Sequence, residues 1–126
     1  GAESVLLALD DDLVPTVAMA EAPHGTAPSL EGKNVANPMA MLLACAAALD
    51  HAPPGDRSVV AAAHAIREAT LGAAADGIRT FDLGGGASTS EVVDEVIRRT
   101  RVLTAAPQDD LVRSTRIRPG PPRRTS

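Results

Sequence analysis

Tyrosine and tryptophan are absent from these 126 residues, and Phe81 is the one aromatic side chain. Apolar residues make up 44% of the chain, but alanine supplies much of that share. Alanine buries little area, so at roughly 25 cal/mol per Å² the core is thin for one modest domain and insufficient for two. Such a composition suits helices packed closely on a partner or on further chain, and marginal stability in isolation is expected. Cys45 is the only cysteine, which rules out an internal disulfide. Its place in an apolar helical run predicts a small buried hydrophobe.

Long apolar runs are missing too. Met39 to Leu49 is the longest, far short of the ~20 residues a membrane span needs. No segment joins a basic start, an apolar stretch and a cleavage site, so secretion is unsupported and a cytoplasmic location is expected. The first residue is Gly rather than Met, which points to a processed product or a fragment. Positive charge is scarce in the first half, where Lys33 is the only Lys or Arg before Arg57. The net charge of −4 and this acidic front argue against nucleic acid as a partner, because neutralising phosphates takes a basic surface. The Arg-rich end, Arg113 to Arg124, lies among Pro119, Gly120, Pro121 and Pro122 and reads as a disordered tail.

Two apolar runs, Ser4 to Leu9 and Thr16 to Ala22, are separated by Asp10-Asp11-Asp12 and Pro15. Both are strand candidates, although the first reads equally as helix because alanine has poor β propensity. Asn37-Pro38 predicts a helix start, with Asn capping free N–H groups and Pro pre-setting φ. That helix, apolar almost all round, should end before Pro53-Pro54 and be buried on several sides. A second helix is expected from about Asp56–Ser58 to Asp76-Gly77. Ser88 and Glu91 fit a capping box opening a third, which carries Val92, Val93, Val96 and Ile97 toward the core. Arg98, Arg99 and Arg101 near its end have the favourable sign for a helix C-terminus.

What remains is the segment Glu21 to Asn37, EAPHGTAPSLEGKNVAN, and no hydrophobic core needs such a loop. It gathers His, Thr, Ser, Lys and two Asn between Gly and Pro. Gly25 and Gly32 allow a ligand close to the backbone, and a nest of N–H groups there suits phosphate. His24 can stack on or bond to a purine, and the Asn37 amide offers both donor and acceptor. Taken singly, His24 reads as a turn histidine satisfied by backbone, and Asn37 as a helix cap. The ordered set is more specific than either.

HGTAP followed by GKNVANP, with Arg79-Thr-Phe-Asp-Leu-Gly-Gly-Gly and Ala87-Ser-Thr-Ser-Glu91 downstream, resembles the C-terminal region of the isocitrate/isopropylmalate dehydrogenases, the metal-dependent β-decarboxylating family. The likeness runs from about Val17 to Leu103. It implies an α/β fold: the C-terminal part of the family's large domain, one or two strands plus about three helices, incomplete on its own. Residues 1–103 would form this portion, and 104–126 a Pro/Arg-rich tail. It also implies that the loop wraps the adenosine half of NAD or NADP. His24, Gly25, Thr26, Ala27, Pro28 and Asn37 fall on matching positions, as do Ser29 and Leu30 at the ribose. Glu21 matches an acid toward the nicotinamide end. The GxGxxG fingerprint is absent. Gly84-Gly85-Gly86 lacks the Lys and Ser/Thr of a phosphate loop and reads as a tight approach between Leu83 and the last helix.

There are departures from the family pattern. NAD-preferring relatives usually place Asp where Ser29 stands, and NADP-dependent ones often place Lys there with Tyr next. Some of the latter use Tyr and Arg where Ser90 and Asp94 align. Asp94 would repel a 2′-phosphate, so NAD is favoured over NADP. Pro23 replaces the usual Val or Thr.

The resemblance further implies oxidation of a 2-hydroxy acid with loss of carbon dioxide, assisted by Mg or Mn. Isocitrate is favoured and 3-isopropylmalate is next, on HGTAP, NVANP and the Arg-Thr before FDLGG. The family's metal-binding Asp, carboxylate-clamping Arg and Tyr–Lys pair lie upstream of the matching segment. Asp10, Asp11 and Asp12 belong to another place in the pattern and diverge on a strand, so a solvated acidic turn is expected. Neither His51, His64 nor Cys45 has a partner at catalytic or metal-ligand spacing. The implied partners are a small-molecule substrate, the missing N-terminal portion or a partner subunit, and a second copy in a homodimer. The chain alone is expected to be inactive. Two rivals stand beside this reading: an inactive nucleotide-binding regulatory subunit or truncated remnant, and an Ala-rich helical interaction domain without ligand.

Overall fold

The computed structural model describes residues 3–52 and 56–105. Pro53-Pro54 and the Arg-rich tail beyond 105 therefore lie outside the described residues. Strands β1 (Ser4–Leu9) and β2 (Pro15–Glu21) pair antiparallel, from Ser4 opposite Glu21 to Leu9 opposite Pro15, with an irregularity between Ala8 and Leu9. The first run is thus strand, not helix. Continuous apolar sequence suits either element, and cross-strand pairing decides between them.

The acidic triplet makes the turn, as expected. Asp10 Oδ1 accepts from the N–H groups of Asp12 (3.0 Å) and Val14 (2.8 Å). Such a side chain mimics a backbone turn. Leu13 absorbs the reversal at φ 63°, a left-handed value costing about 1 kcal/mol for a residue other than Gly.

Three helices follow: α1 (Met39–Asp50), α2 (Arg57–Ala75) and α3 (Thr89–Ala105). The order of packing is hairpin, α1, α2, α3. The core is built from alanine: Ala44, Ala46 and Ala47 of α1 and Ala63, Ala65, Ala69 and Ala73 of α2 are buried with Leu43. Val92 and Val96 of α3 close on Ala69 and Ala73, with Leu42, Ile78 and Leu103 at the edge. Thr70, also buried, donates its hydroxyl to the Ile66 carbonyl at 2.7 Å. Small side chains let the helices approach closely, so dispersion contacts replace the area that large residues would bury. No helix among the described residues is long and apolar enough to cross a membrane.

The helix ends follow the sequence closely. Asp56 caps α2 by accepting from the Ser58 N–H at 2.9 Å. The capping box of α3 forms in both directions: Ser88 N–H donates to Glu91 Oε2 at 2.7 Å, and Glu91 N–H donates to Ser88 Oγ at 3.3 Å.

Four expectations need correction. Cys45 is exposed, because among the described elements α1 packs on the hairpin and α2 and leaves Met41 and Cys45, one turn apart, outside. Ile97 is exposed as well; Val92 and Val96 define the buried stripe of α3, and Ile97 lies off it. Arg98 and Arg99 do not serve the helix C-terminus, since α3 continues to Ala105. Instead they pair with Glu95 at 2.7 and 2.6 Å, and Arg99 reaches Asp76 at 2.7 Å. Gly85 does make a tight approach, but to the Arg79 backbone rather than to α3. A Cβ there would lie 1.9 Å from the Arg79 carbonyl oxygen.

Candidate functional site

The loop between β2 and α1 turns back on itself through left-handed backbone at Ala27 (φ 44°), Gly32 (φ 73°) and Asn34 (φ 56°). Ala27 opens a 3-10 turn over Pro28–Leu30, closed by Leu30 N–H donating to the Ala27 carbonyl at 2.9 Å. Backbone held in sparsely populated regions persists only where its surroundings over-determine it, and such places cluster at ligand sites.

Here the surroundings are α3 and the Phe81–Leu83 turn. The Asn34 carbonyl accepts from Thr89 N–H at 2.9 Å. Asn34 Oδ1 accepts from both the N–H (3.1 Å) and the hydroxyl (3.0 Å) of Ser90. Thr89 donates its hydroxyl to the Ala36 carbonyl at 2.6 Å. One asparagine thus fastens the loop and caps α3, satisfying N–H groups that a helix start leaves free.

Asn37 performs two tasks at once. Its Oδ1 accepts from Met39 N–H at 3.0 Å, satisfying a free N–H of the first turn although Pro38 rather than Asn37 holds the capping position, and its Nδ2 donates to Asp82 Oδ2 at 2.9 Å. One N–H and one lone pair of the amide remain for a ligand. Asp82 also accepts the hydroxyl of buried Thr80. These bonds, Thr80 first and Asn37 second, hold the Asp82 carboxyl below its usual range, so it is ionised near neutrality. Gly84 at φ 73° ends this turn. Gly85 lies close against the Arg79 backbone, where a side chain would not fit.

Loop, α1 start, Asp82 turn and α3 start enclose an open cleft of about 1160 Å³. His24, Gly25, Thr26, Ala27, Pro28, Leu30 and Asn37 all line it. Glu21 and Ser29, also expected at the site, do not, although both are exposed nearby in the chain. Asn34, Glu31, Asp82 and Thr89 line the cleft without having been singled out as site residues. The signals were available: Asp82 lies in the FDLGGG motif, and Asn34 beside the loop's only lysine. His24 Nδ1 sits 3.0 Å from the Gly25 carbonyl. A proton on Nδ1 makes that a hydrogen bond and leaves Nε2 as an acceptor.

The sequence profile described as isocitrate/isopropylmalate dehydrogenase matches residues 7–96. The chain belongs to this family. It is 42% identical over 84 residues to the 3-isopropylmalate dehydrogenase of Novosphingobium aromaticivorans, covering 67% of this chain and 23% of that protein. It is 43% identical over 86 residues to the mitochondrial isocitrate dehydrogenase [NAD] subunit 2 of Kluyveromyces lactis, covering 67% and 22%. A mitochondrial isocitrate dehydrogenase [NAD] regulatory subunit of Dictyostelium discoideum is 40% identical over 83 residues, covering 65% and 22%. The chain therefore spans less than a quarter of the length of these relatives. No solved structure matches it significantly.

In this member of the isocitrate/isopropylmalate dehydrogenase family, the charged side chains lining the cleft are Glu31 and Asp82, and no described Lys or Arg lines it. The first N–H groups of α3 are already taken by Asn34 and Ser88. The cleft therefore offers hydrogen-bonding groups and shape rather than positive charge. That chemistry fits a nucleoside better than a pyrophosphate. Among the described residues no group of three His, Cys, Asp or Glu comes together to hold a metal ion.

Proposed function

We propose that this chain is the adenosine-binding portion of an NAD-dependent β-decarboxylating dehydrogenase. The cleft itself carries the reading: His24, Gly25, Thr26, Ala27, Pro28, Leu30 and Asn37 converge around polar groups with hydrogen-bonding capacity to spare. In this reading the His24 ring and the free edge of the Asn37 amide hold adenine, and the left-handed backbone at Ala27 shapes the wall around the ribose. Asp82 fixes the Asn37 amide so that its remaining donor points consistently. NAD, when bound, accepts the hydride; this chain's residues bind and orient its adenosine end. Metal, substrate carboxylates and proton transfer belong to groups outside this chain, in further N-terminal residues or a partner subunit of a dimer.

Isocitrate stands ahead of 3-isopropylmalate as substrate of the complete protein, on HGTAP, NVANP and Arg79-Thr80. Calorimetric titration of the chain with 5′-AMP and NAD tests the site. Saturable binding is expected, lost in the His24→Ala, Asn37→Ala double variant. Absence of heat with either nucleotide refutes the assignment. The chain alone should not oxidise isocitrate or 3-isopropylmalate with NAD and Mn, and steady turnover would overturn that part.

The likeness to a protein named as regulatory favours a second reading, in which the same cleft binds an adenylate as an effector. Complementation separates the two. A catalytic portion restores turnover when the remaining domain is supplied, whereas a regulatory one changes the turnover of an already active partner.

A further inference from the structure

We infer that Asn34 is a positioning residue of the cleft, acting on nucleotide affinity through its Oδ1 and the start of α3. The inference rests on the adenosine-binding reading above and names what holds that site in shape. Asn34 sits at φ 56°, a left-handed value that glycine adopts at no steric cost. Gly32, two residues earlier, takes the same region at φ 73°. The side chain at position 34 adds what glycine would lack, an acceptor.

Three contacts tie this turn to the start of α3. Oδ1 accepts from the Ser90 N–H at 3.1 Å and the Ser90 hydroxyl at 3.0 Å, and the Asn34 carbonyl accepts from the Thr89 N–H at 2.9 Å. A backbone N–H only donates, so the side-chain atom it meets is the oxygen. Asn34, Val35, Ala36 and Asn37 all line the cleft, whereas Ser90 does not. The wall that presents the Asn37 amide is thus held by a residue outside the cleft. Strain decides what happens when this fastening is cut. Ala27 and Asn34 both occupy left-handed backbone, which residues other than glycine leave when nothing holds them. An unfastened loop relaxes, and apparent affinity falls with the fraction that keeps the bound shape.

Calorimetric titration of the intact chain with adenosine tests this, because adenosine has no charge for an introduced carboxylate to repel. Asn34→Ala should weaken binding by roughly fivefold or more, the equivalent of a lost cap. Asn34→Gly keeps the backbone shape without the acceptor and should bind as weakly. Asn34→Asp keeps the acceptor, drops the Nδ2 donor and should restore affinity to within about twofold of the parent. Ser90→Ala removes one donor from outside the cleft, leaves the loop sequence intact and should weaken binding about twofold. Asp56→Ala is the control: it removes the cap of α2, away from the cleft, and should lower the melting temperature without changing affinity. Far-UV circular dichroism confirms that each variant folds.

Unchanged affinity in both Asn34→Ala and Ser90→Ala overturns the inference while the nucleotide site stands. Full affinity in Asn34→Gly also overturns it, since backbone shape alone would then suffice. Failure of Asn34→Asp to restore binding does the same by putting the ligand on Nδ2. A fall in Asp56→Ala equal to that in Asn34→Ala would mean that affinity follows stability alone, which again overturns it. A parent chain that binds no adenosine removes the site and the inference together.

Discussion

The hairpin and the helical body use the same kind of residue differently. In α1 and α2, Ala46, Ala63 and Ala73 are fully buried, so the smallest apolar side chains do the packing. In the hairpin, Leu6, Leu7, Leu9, Val17 and Met19 are all larger and all exposed, Leu6 at 55%. Continuous apolar strands are the pattern of sheets covered on both faces. Among the described elements, only α1 packs on this one. Residue size therefore does not tell where the stability of this chain lies; the contacts available to each element do.

The contrast is sharpened first by overpacking. Gly85→Ala would drive a Cβ into the Arg79 backbone, and Ala63→Leu would force a larger side chain between α1 and α2. Each is expected to cost about 3 kcal/mol, lowering the midpoint of thermal unfolding by roughly 10 °C or more. A loss below about 0.5 kcal/mol would show that these contacts yield. Asn37→Ala comes next, at about 1 kcal/mol for the missing cap, measured by urea unfolding. It should also free Asp82 from one of the two partners that hold its carboxyl down.

The third test uses pH. Arg98 and then Arg99 hold the Glu95 carboxyl down from 4.5 to about 2. A depressed carboxyl adds stability that is complete above 4.5 and disappears as pH falls toward 2. Glu95→Gln should therefore melt at a lower temperature than the parent near neutrality, and the difference should close at the acid end. A gap that persists unchanged there would mean that packing, not charge, joins α3 to its neighbours. The smallest effect is expected on the hairpin: Leu6→Ser should change stability by no more than about 0.5 kcal/mol. A loss as large as that of Ala63→Leu would erase the comparison.

Local chemistry made much of this legible from sequence. Asp56, Ser88, Glu91 and Asn37 act within a few residues of where they stand, so each cap could be read from spacing alone. The hairpin boundaries came from Asp10 to Pro15, a turn whose hydrogen bonds are equally local. Long-range geometry was not legible. Cys45 in α1 and Ile97 in α3 were misplaced because a helix that is apolar on several sides does not announce which face its neighbours cover. Asn34 was overlooked because its partners lie on α3, more than fifty positions away. That Ser29 does not line the cleft was not legible either, because it depends on the 3-10 turn that the loop makes over Pro28–Leu30. Motif likeness pointed to the loop, and its folding decides which of its members line the cleft.

The Asn34 fastening also bears on the thermodynamics of ligand uptake. Since α3 starts with its free amides on this residue, the helix and the shape of the loop must form in the same cooperative event. Ordering of the cleft then belongs to the folding transition, so the proposed nucleotide would meet a site already shaped. Binding to such a pre-shaped pocket loses little chain entropy. Its heat capacity change should reflect the contact area alone, without the added signature of a segment folding around its guest.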